Sequence, residues 1–320
     1  MNIYIVSSEN RISGGPELAH QLCSAINILT DVHAYMCYVS LDYPYSIVKA
    51  STPEPYMLYT TKSCFDLETI DRPENVIVFP EGLTYSMSHI KKAKKVLWWM
   101  SVDNYIESTK ESNINYINEE VFFHLYQSYY ALNYVKKTIP NVKGMYLSDY
   151  INEEHGKFIY PAQLREDIAL YNPAKGYNEL KPLIDKVKWI RWIPLVNLDV
   201  PHMVLLMEAG KIYIDFGNHP GKDRIPREAA ANGCCVITNK KGSAAYEYDV
   251  PIPERYKFDN PSESLNDIEA LMVDICNNFQ FHQNIFSSYR KFISGEKERF
   301  NTDVITFINT LKNPCCLPYL

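Results

Sequence analysis

Short apolar runs rich in β-branched and aromatic residues recur along the chain, each followed by a polar turn and a helix-like stretch. In the first half they occupy residues 2–6, 33–39, 76–79, 95–100, 122–126 and 143–147. In the second half the alternation resumes with runs at 167–171, 188–193, 211–216 and 234–238, separated by helical patterns near 177–186, 201–209 and 226–232. Strands that alternate with helices, and that read as apolar runs instead of apolar–polar alternation, belong to parallel sheets covered on both faces. The fold class is therefore α/β. Between the two series, residues 150–165 hold Asn, Glu, His, Gly and Pro without periodicity, which marks a linker and predicts two αβα domains. After residue 264 the pattern is helical to residue 311, and this tail is expected to pack back on the first domain. The predicted division is 1–155 for the N-terminal domain, 163–290 for the C-terminal domain and 291–320 for the returning tail.

In open parallel sheets, ligands bind beyond the carboxyl ends of the strands, so the residues that follow each run carry the functional interest. In the first half these are Ser7-Ser8-Glu9 with Gly14-Gly15 beyond them, Pro80-Glu81-Gly82, Ser101-Val102-Asp103-Asn104, Gln127-Ser128 and Ser148-Asp149. Glu81 and Asp103, at two of these strand ends, are placed to act as a base or to contact a substrate.

Composition excludes several alternatives. A net charge of −6 with mixed signs gives no basic surface of the kind that neutralises many phosphates, so nucleic acid is not an expected partner. The chain has no basic n-region with a hydrophobic signal and no stretch of roughly 18 apolar residues, and a cytoplasmic location is expected, with peripheral contact at the inner membrane face left open. The eight cysteines include the adjacent pairs Cys234-Cys235 and Cys315-Cys316 and form no matched CxxC pairs; buried free thiols are expected, with neither a zinc site nor a disulfide framework. The 25 tyrosines are scattered and read as core or boundary residues. Lys91-Lys92-Ala93-Lys94-Lys95 reads as a solvated helix end.

The densest cluster of chemistry lies between Tyr213 and Tyr248. A strand runs into the loop Gly217-Asn218-His219-Pro220-Gly221-Lys222-Asp223, and the loop opens a helix of small residues, Pro226-Arg227-Glu228-Ala229-Ala230-Ala231. Proline suits a first helical turn, and the free N–H groups and dipole of that turn favour an anion such as a diphosphate. Lys222, Arg224 and Arg227 add positive charge to the same loop, where a guanidinium can grip phosphate oxygens. His219, in the Gly/Pro loop, is placed to touch a ligand or to hydrogen-bond backbone.

This stretch resembles the donor-site signature of GT-B glycosyltransferases, in particular the retaining family 4 type, with a Gly-rich loop, a helix reading Glu-Ala-x-Ala-x-Gly and a strand of the type Pro-Val-Ile. The resemblance implies two Rossmann-like αβα domains facing a cleft, the first for the acceptor and the second for a nucleoside diphosphate sugar. It implies that Glu228 holds the ribose hydroxyls and that Lys175, in Asn172-Pro173-Ala174-Lys175-Gly176, holds the donor diphosphate, with Asn172 in the same loop. Gly242 and Ser243 resemble the glycine-rich turn near the phosphates, and Gly14 and Gly15 the N-terminal pair facing the donor. Two departures stand out. Pro220 occupies the place of the first glutamate of the family's pair, and Leu170 that of an arginine five residues before Lys175. The plainer readings make Glu228 a structural helix residue and Lys175 part of an ordinary surface turn.

The expected function is sugar transfer from a nucleoside diphosphate sugar to a glycan or lipid-linked glycan, in polysaccharide biosynthesis, without a resident cofactor and without a metal, since no DxD-type motif is evident. A nucleotide-sugar 2-epimerase and a non-catalytic nucleotide-sugar-binding subunit are the alternatives.

Overall fold

The alternation folds into two sheets whose strands are all parallel, in a computed structural model that describes residues 1–42, 45–109, 114–157 and 159–313. The chain divides into two compact units. Unit 1 comprises Met1–Asp149 and Glu298–Leu320, and unit 2 comprises Tyr150–Lys297.

Unit 1 contains β1 (Asn2–Ser8), β2 (His33–Val39), β3 (Val76–Pro80), β4 (Lys94–Trp99), β5 (Val121–Tyr126) and β6 (Gly144–Tyr146) in the order β2-β1-β3-β4-β5-β6. Unit 2 contains β7 (Glu166–Tyr171), β8 (Arg191–Pro194), β9 (Gly210–Asp215), β10 (Cys235–Asn239) and the two-residue β11 (Lys257–Phe258) in the order β8-β7-β9-β10-β11. Both sheets reverse their winding beside the first strand, between β1 and β3 and between β7 and β9. That is where an open α/β sheet leaves a crevice at its carboxyl edge. Central strands are buried along nearly their whole length: Val76, Ile77, Val78 and Phe79 are at most 2% exposed, as are Ile212, Tyr213 and Ile214. Helices on both faces require this, which is why the runs read as continuous and not alternating.

Helices Tyr177–Lys186, Val200–Ala209 and Arg224–Ala231 fill the connections of unit 2. Val200–Ala209 starts on a side-chain cap, Asp199 accepting from the backbone N–H of His202 at 3.0 Å. The helical tail is four helices, Leu265–Asn277, Phe279–Ile285, Ser287–Ser294 and Glu296–Lys312. In the part that belongs to unit 1, Phe307 stacks on Phe123 of β5 with ring centroids 6.4 Å apart.

The irregular stretch before β7 is pinned to unit 2. Gly156 N donates to Asn232 Oδ1 at 3.1 Å, and buried Arg165 donates to the carbonyls of Met207 and Gly210 at 3.0 and 2.8 Å. The lysine cluster differs from expectation. Residues 91–93 form no helix end; their backbone N–H groups donate to Asp71, and Lys94 and Lys95 already belong to β4, with Lys95 buried against Glu120. A single carboxylate that accepts three N–H groups holds this turn in place of a helix. Cys23, Cys37, Cys234 and Cys235 are buried free thiols, and Cys64 and Cys276 are half-buried. Cys315 and Cys316 lie outside the described residues. Among the described residues no helix is long and apolar enough to cross a membrane.

Candidate functional site

In unit 2 the loops that follow β7, β9 and β10 are locked together by backbone contacts that only glycine permits. Gly176 has φ +65°, and a Cβ there would lie 2.3 Å from Gly217 N, so the turn bearing Lys175 lies directly on the start of the loop after β9. Gly242 has φ +54°, and its Cβ would meet His219 O at 1.9 Å. Left-handed backbone and close approach both demand glycine here. Ser243 completes the lock: its N donates to His219 O at 2.8 Å and its Oγ to Gly221 O at 2.6 Å. Asn239, at the end of β10, donates to Gly217 O at 2.8 Å. Asn172 closes its own turn, accepting from Ala174 N at 3.0 Å.

Inside this frame, charges of opposite sign alternate. Asp215, the last residue of β9, is buried and accepts from Tyr213 OH and Gly217 N, each at 2.9 Å. His219, only 1% exposed, places Nε2 3.9 Å from Asp215 Oδ1 and Nδ1 3.2 Å from Asp223 Oδ2. Lys175 Nζ lies 3.2 Å from both oxygens of Asp223. Burial works against a charged imidazole, but the hydrogen bond to Asp223 and the fields of Asp215 and Asp223 outweigh it and raise the His219 pKa. For Asp223 burial pushes upward, and His219 and Lys175 together bring the net shift below the ordinary carboxylate value. Asp223 also precedes helix Arg224–Ala231, where a negative charge meets the helix dipole favourably.

Among the described residues, Asp215, His219 and Asp223 form the group that could ligate a cation, with ligand atoms within 4.8 Å of one another. Their donor atoms fit this poorly, because Asp215 is engaged by Tyr213 and Gly217 while Lys175 and His219 already compensate Asp223.

Two of the three cations expected to meet a phosphate face inward, which corrects that expectation. Arg227 is 1% exposed; it donates to Asp223 O at 3.1 Å and Lys222 O at 2.9 Å and pairs with Glu296 at 2.7 Å. Lys222, 4% exposed, pairs with the other Glu296 oxygen at 2.7 Å and lies over the Phe292 ring. Both cations therefore brace the loop against the C-terminal helices. Arg224 begins the helix half-buried, and its charge is felt at His155. The structure also explains Leu170: it is the penultimate residue of β7 with 0% exposure, a position that would bury an arginine in the core.

Glu228 lies on helix Arg224–Ala231 with its side chain 12% exposed, and His155 Nε2 is 3.8 Å from its Oε1. Burial lowers the His155 pKa to about 4, so this imidazole is neutral at neutral pH. Its Nδ1 accepts from the Asn232 amide at 2.8 Å, which assigns the proton to Nε2, facing Glu228.

In unit 1 the expected residues sit at the carboxyl ends of their strands. Gly14 and Gly15 open helix Gly14–Leu29 beyond β1, where Tyr56 OH bonds both N and O of Ser13 at 2.8 and 2.9 Å. Glu81 follows β3, is 3% exposed and accepts from Met100 N at 2.8 Å; burial pushes its pKa up to about 7 against the opposing backbone hydrogen bonds. Asp103 follows β4, half-buried, and accepts from Tyr130 OH at 3.1 Å.

Asp215, Asp223, His155 and Glu296 escaped the sequence reading. The spacing of Asp215, His219 and Asp223, four residues apart each time, was the available signal for the first two. His155 and Glu296 carried none, being brought in from distant segments.

No family model and no curated protein matches the sequence. Solved structures do match over almost the whole chain. Sucrose-phosphate synthase from Thermosynechococcus elongatus superimposes with a TM-score of 0.67 at 12% identity, covering 97% of this chain and 98% of that one. Anabaena HepE in complex with UDP-glucose gives 0.69 at 11% identity, covering 97% and 100%. An E. coli structure described as trehalose-6-phosphate bound with UDP-2-fluoro glucose gives 0.60 at 9%, covering 98% and 99%. The chain has the GT-B fold of these glycosyltransferases, with two Rossmann-like units.

Proposed function

We propose that the chain is a nucleotide-sugar-dependent glycosyltransferase that holds its donor in unit 2 and its acceptor, a glycan or lipid-linked glycan, through unit 1. The observation that carries this reading is the convergence of Lys175, His219 and the Gly242–Ser243 turn at the β7/β9 reversal, with Glu228 on the helix that follows. In the reaction the bond from the anomeric carbon to the diphosphate oxygen breaks, negative charge grows on the leaving diphosphate, and an acceptor hydroxyl adds to the sugar with loss of its proton. Lys175 supplies positive charge where that negative charge grows, and the raised His219 pKa favours a charged imidazole beside it. In this reading the diphosphate takes the place that the Asp223 carboxylate has beside Lys175, and the two side chains do the work that a divalent cation does elsewhere. Glu228, with one oxygen towards His155, accepts hydrogen bonds from the ribose hydroxyls.

HepE in complex with UDP-glucose and the structure with UDP-2-fluoro glucose make a UDP-sugar the first donor class to test. A ligand that binds only the folded state raises the melting temperature. A thermal-shift screen over nucleoside diphosphates and their sugars, followed by product analysis with donor alone and donor plus acceptor, tests the reading. The expected result is stabilisation by one nucleotide class and transfer only when an acceptor is present. Conversion of donor alone to an epimer, or no stabilisation by any nucleotide, would overturn it.

A second reading, a nucleotide-sugar-binding subunit without turnover, is favoured by two observations: Lys222 and Arg227 are committed to Glu296, and Pro220 stands where the family's first glutamate would be. Donor binding without transfer to any acceptor would select it.

A further inference from the structure

Unit 2 contains a cavity of about 460 Å³ lined by none of the residues proposed to contact the donor directly, though His155, the neighbour of Glu228, forms part of its wall. It lies between the irregular stretch that opens the unit and the end of helix Ser287–Ser294, within the size range of small-molecule sites. Its charge is one-sided. Lys157, Arg290, Lys291 and Lys297 line it, with Glu153 as the one lining carboxylate.

Two of these cations are neutralised nearby, Lys297 by Glu153 and Lys157 by Glu154, each at 2.6 Å. Arg290 and Lys291 are different. Among the described residues no carboxylate pairs with either; Arg290 Nη2 donates to the Gln283 carbonyl at 2.7 Å, while its Nη1 is buried without a hydrogen-bond partner. A half-buried guanidinium compensated by a single carbonyl is an incomplete arrangement, because burying a charge costs free energy unless a counter-charge accompanies it. Burial accordingly lowers the Arg290 pKa. Ile151, Ile293 and Ala231 give one part of the wall an apolar surface that suits an uncharged body beside an anionic head, and Asn152, His155 and Ser294 add polar groups to the lining.

We propose that this cavity binds a small phosphomonoester, its dianionic head between Arg290 and Lys291 and its body against the apolar wall. Two cations lacking a carboxylate partner match a dianion better than a monocarboxylate, and a guanidinium together with an ammonium is a phosphate-binding pair. The volume exceeds what inorganic phosphate fills, so the body contributes to recognition. The site lies outside the Lys175–His219–Gly242 cluster and adjoins the proposed donor site only through His155, which lines the cavity and faces Glu228, so binding here does not depend on that reading.

The test is calorimetry on the full chain with glucose 6-phosphate as probe and with glucose and inorganic phosphate as separate arms. The expected result is saturable binding of glucose 6-phosphate, weaker binding of inorganic phosphate and none of glucose. Excess UDP should leave the binding unchanged, and K291E should weaken it at least tenfold while K291R retains it. Lys291 is exposed, so K291E should keep the wild-type melting temperature; R290Q, which also loses the bond to Gln283, serves as the second variant. The proposal fails if wild type binds no glucose 6-phosphate, if UDP displaces it, or if K291E and R290Q bind it as wild type does.

Discussion

Lys175 Nζ is equidistant from the two carboxylate oxygens of Asp223, 3.2 Å from each, and Asp223 in turn holds His219 Nδ1 at 3.2 Å. One carboxylate at the start of a helix thus gathers an ammonium and an imidazole, the arrangement a phosphate group would adopt in its place. Lys175 is 41% exposed at its side chain, so the pair itself contributes little to stability, about 0–1 kcal/mol after solvent screening. Lys175→Met should leave the melting temperature within a few degrees of wild type while weakening UDP-sugar affinity roughly tenfold to a hundredfold, since charge-assisted hydrogen bonds are worth about 1.5–3 kcal/mol. Calorimetry on the two proteins reads this directly, and unchanged affinity would return Lys175 to an ordinary surface turn.

Glu228→Ala should also lower donor affinity on the order of tenfold to a hundredfold, through lost hydrogen bonds to ribose. The effect should be much smaller for a probe that lacks ribose, such as pyrophosphate. Equal losses for UDP and pyrophosphate would show that Glu228 acts on the loop and not on the sugar ring.

Stability should depend on pH through His219. Its folded-state pKa is raised above the unfolded value, so its stabilising contribution is fully present below about pH 6.5 and is lost as pH rises through the folded-state value. The stability difference between wild type and His219→Gln should therefore be larger at pH 6 than at pH 9 in denaturant titrations. A difference that stays constant or grows with pH contradicts a protonated histidine between Asp215 and Asp223.

Glu296→Ala removes the shared partner of Lys222 and Arg227, all three side chains being at most 3% exposed. Leaving buried charges unpaired costs about 3–5 kcal/mol. A large drop in melting temperature is expected, and a variant as stable as wild type would mean that the two cations find solvent or another anion.

Gly242→Ala should be more damaging than its size suggests, because the new methyl would lie 1.9 Å from His219 O at a left-handed backbone position. Displacement of the His219 loop should lower donor affinity even in protein that still folds, as measured by circular dichroism beside calorimetry. Normal donor binding by folded Gly242→Ala would separate this turn from the donor site.

The sequence by itself determined the layered architecture. Runs such as 76–79 and 211–216 are apolar on both faces and separated by helical periods, and only a parallel sheet covered on both sides buries them. It also singled out the loops of the proposed donor site, since β7 and β9 end directly at the Lys175 turn and at the loop holding His219. Those are local properties, set by period, turn residues and small-residue helices. Only the tertiary structure decided which charges face outward. Lys175 and Lys222 are the same residue type in similar Gly-containing loops, yet one is partly exposed beside Asp223 and the other is buried beside Glu296, 74 residues further along the chain. The partner of a charge is set by the packing of distant segments, and its free energy depends on how far that packing excludes water. The same reason hid His155 and the pair Arg290 and Lys291, whose surroundings exist only once the first residues of unit 2 lie against its last helices.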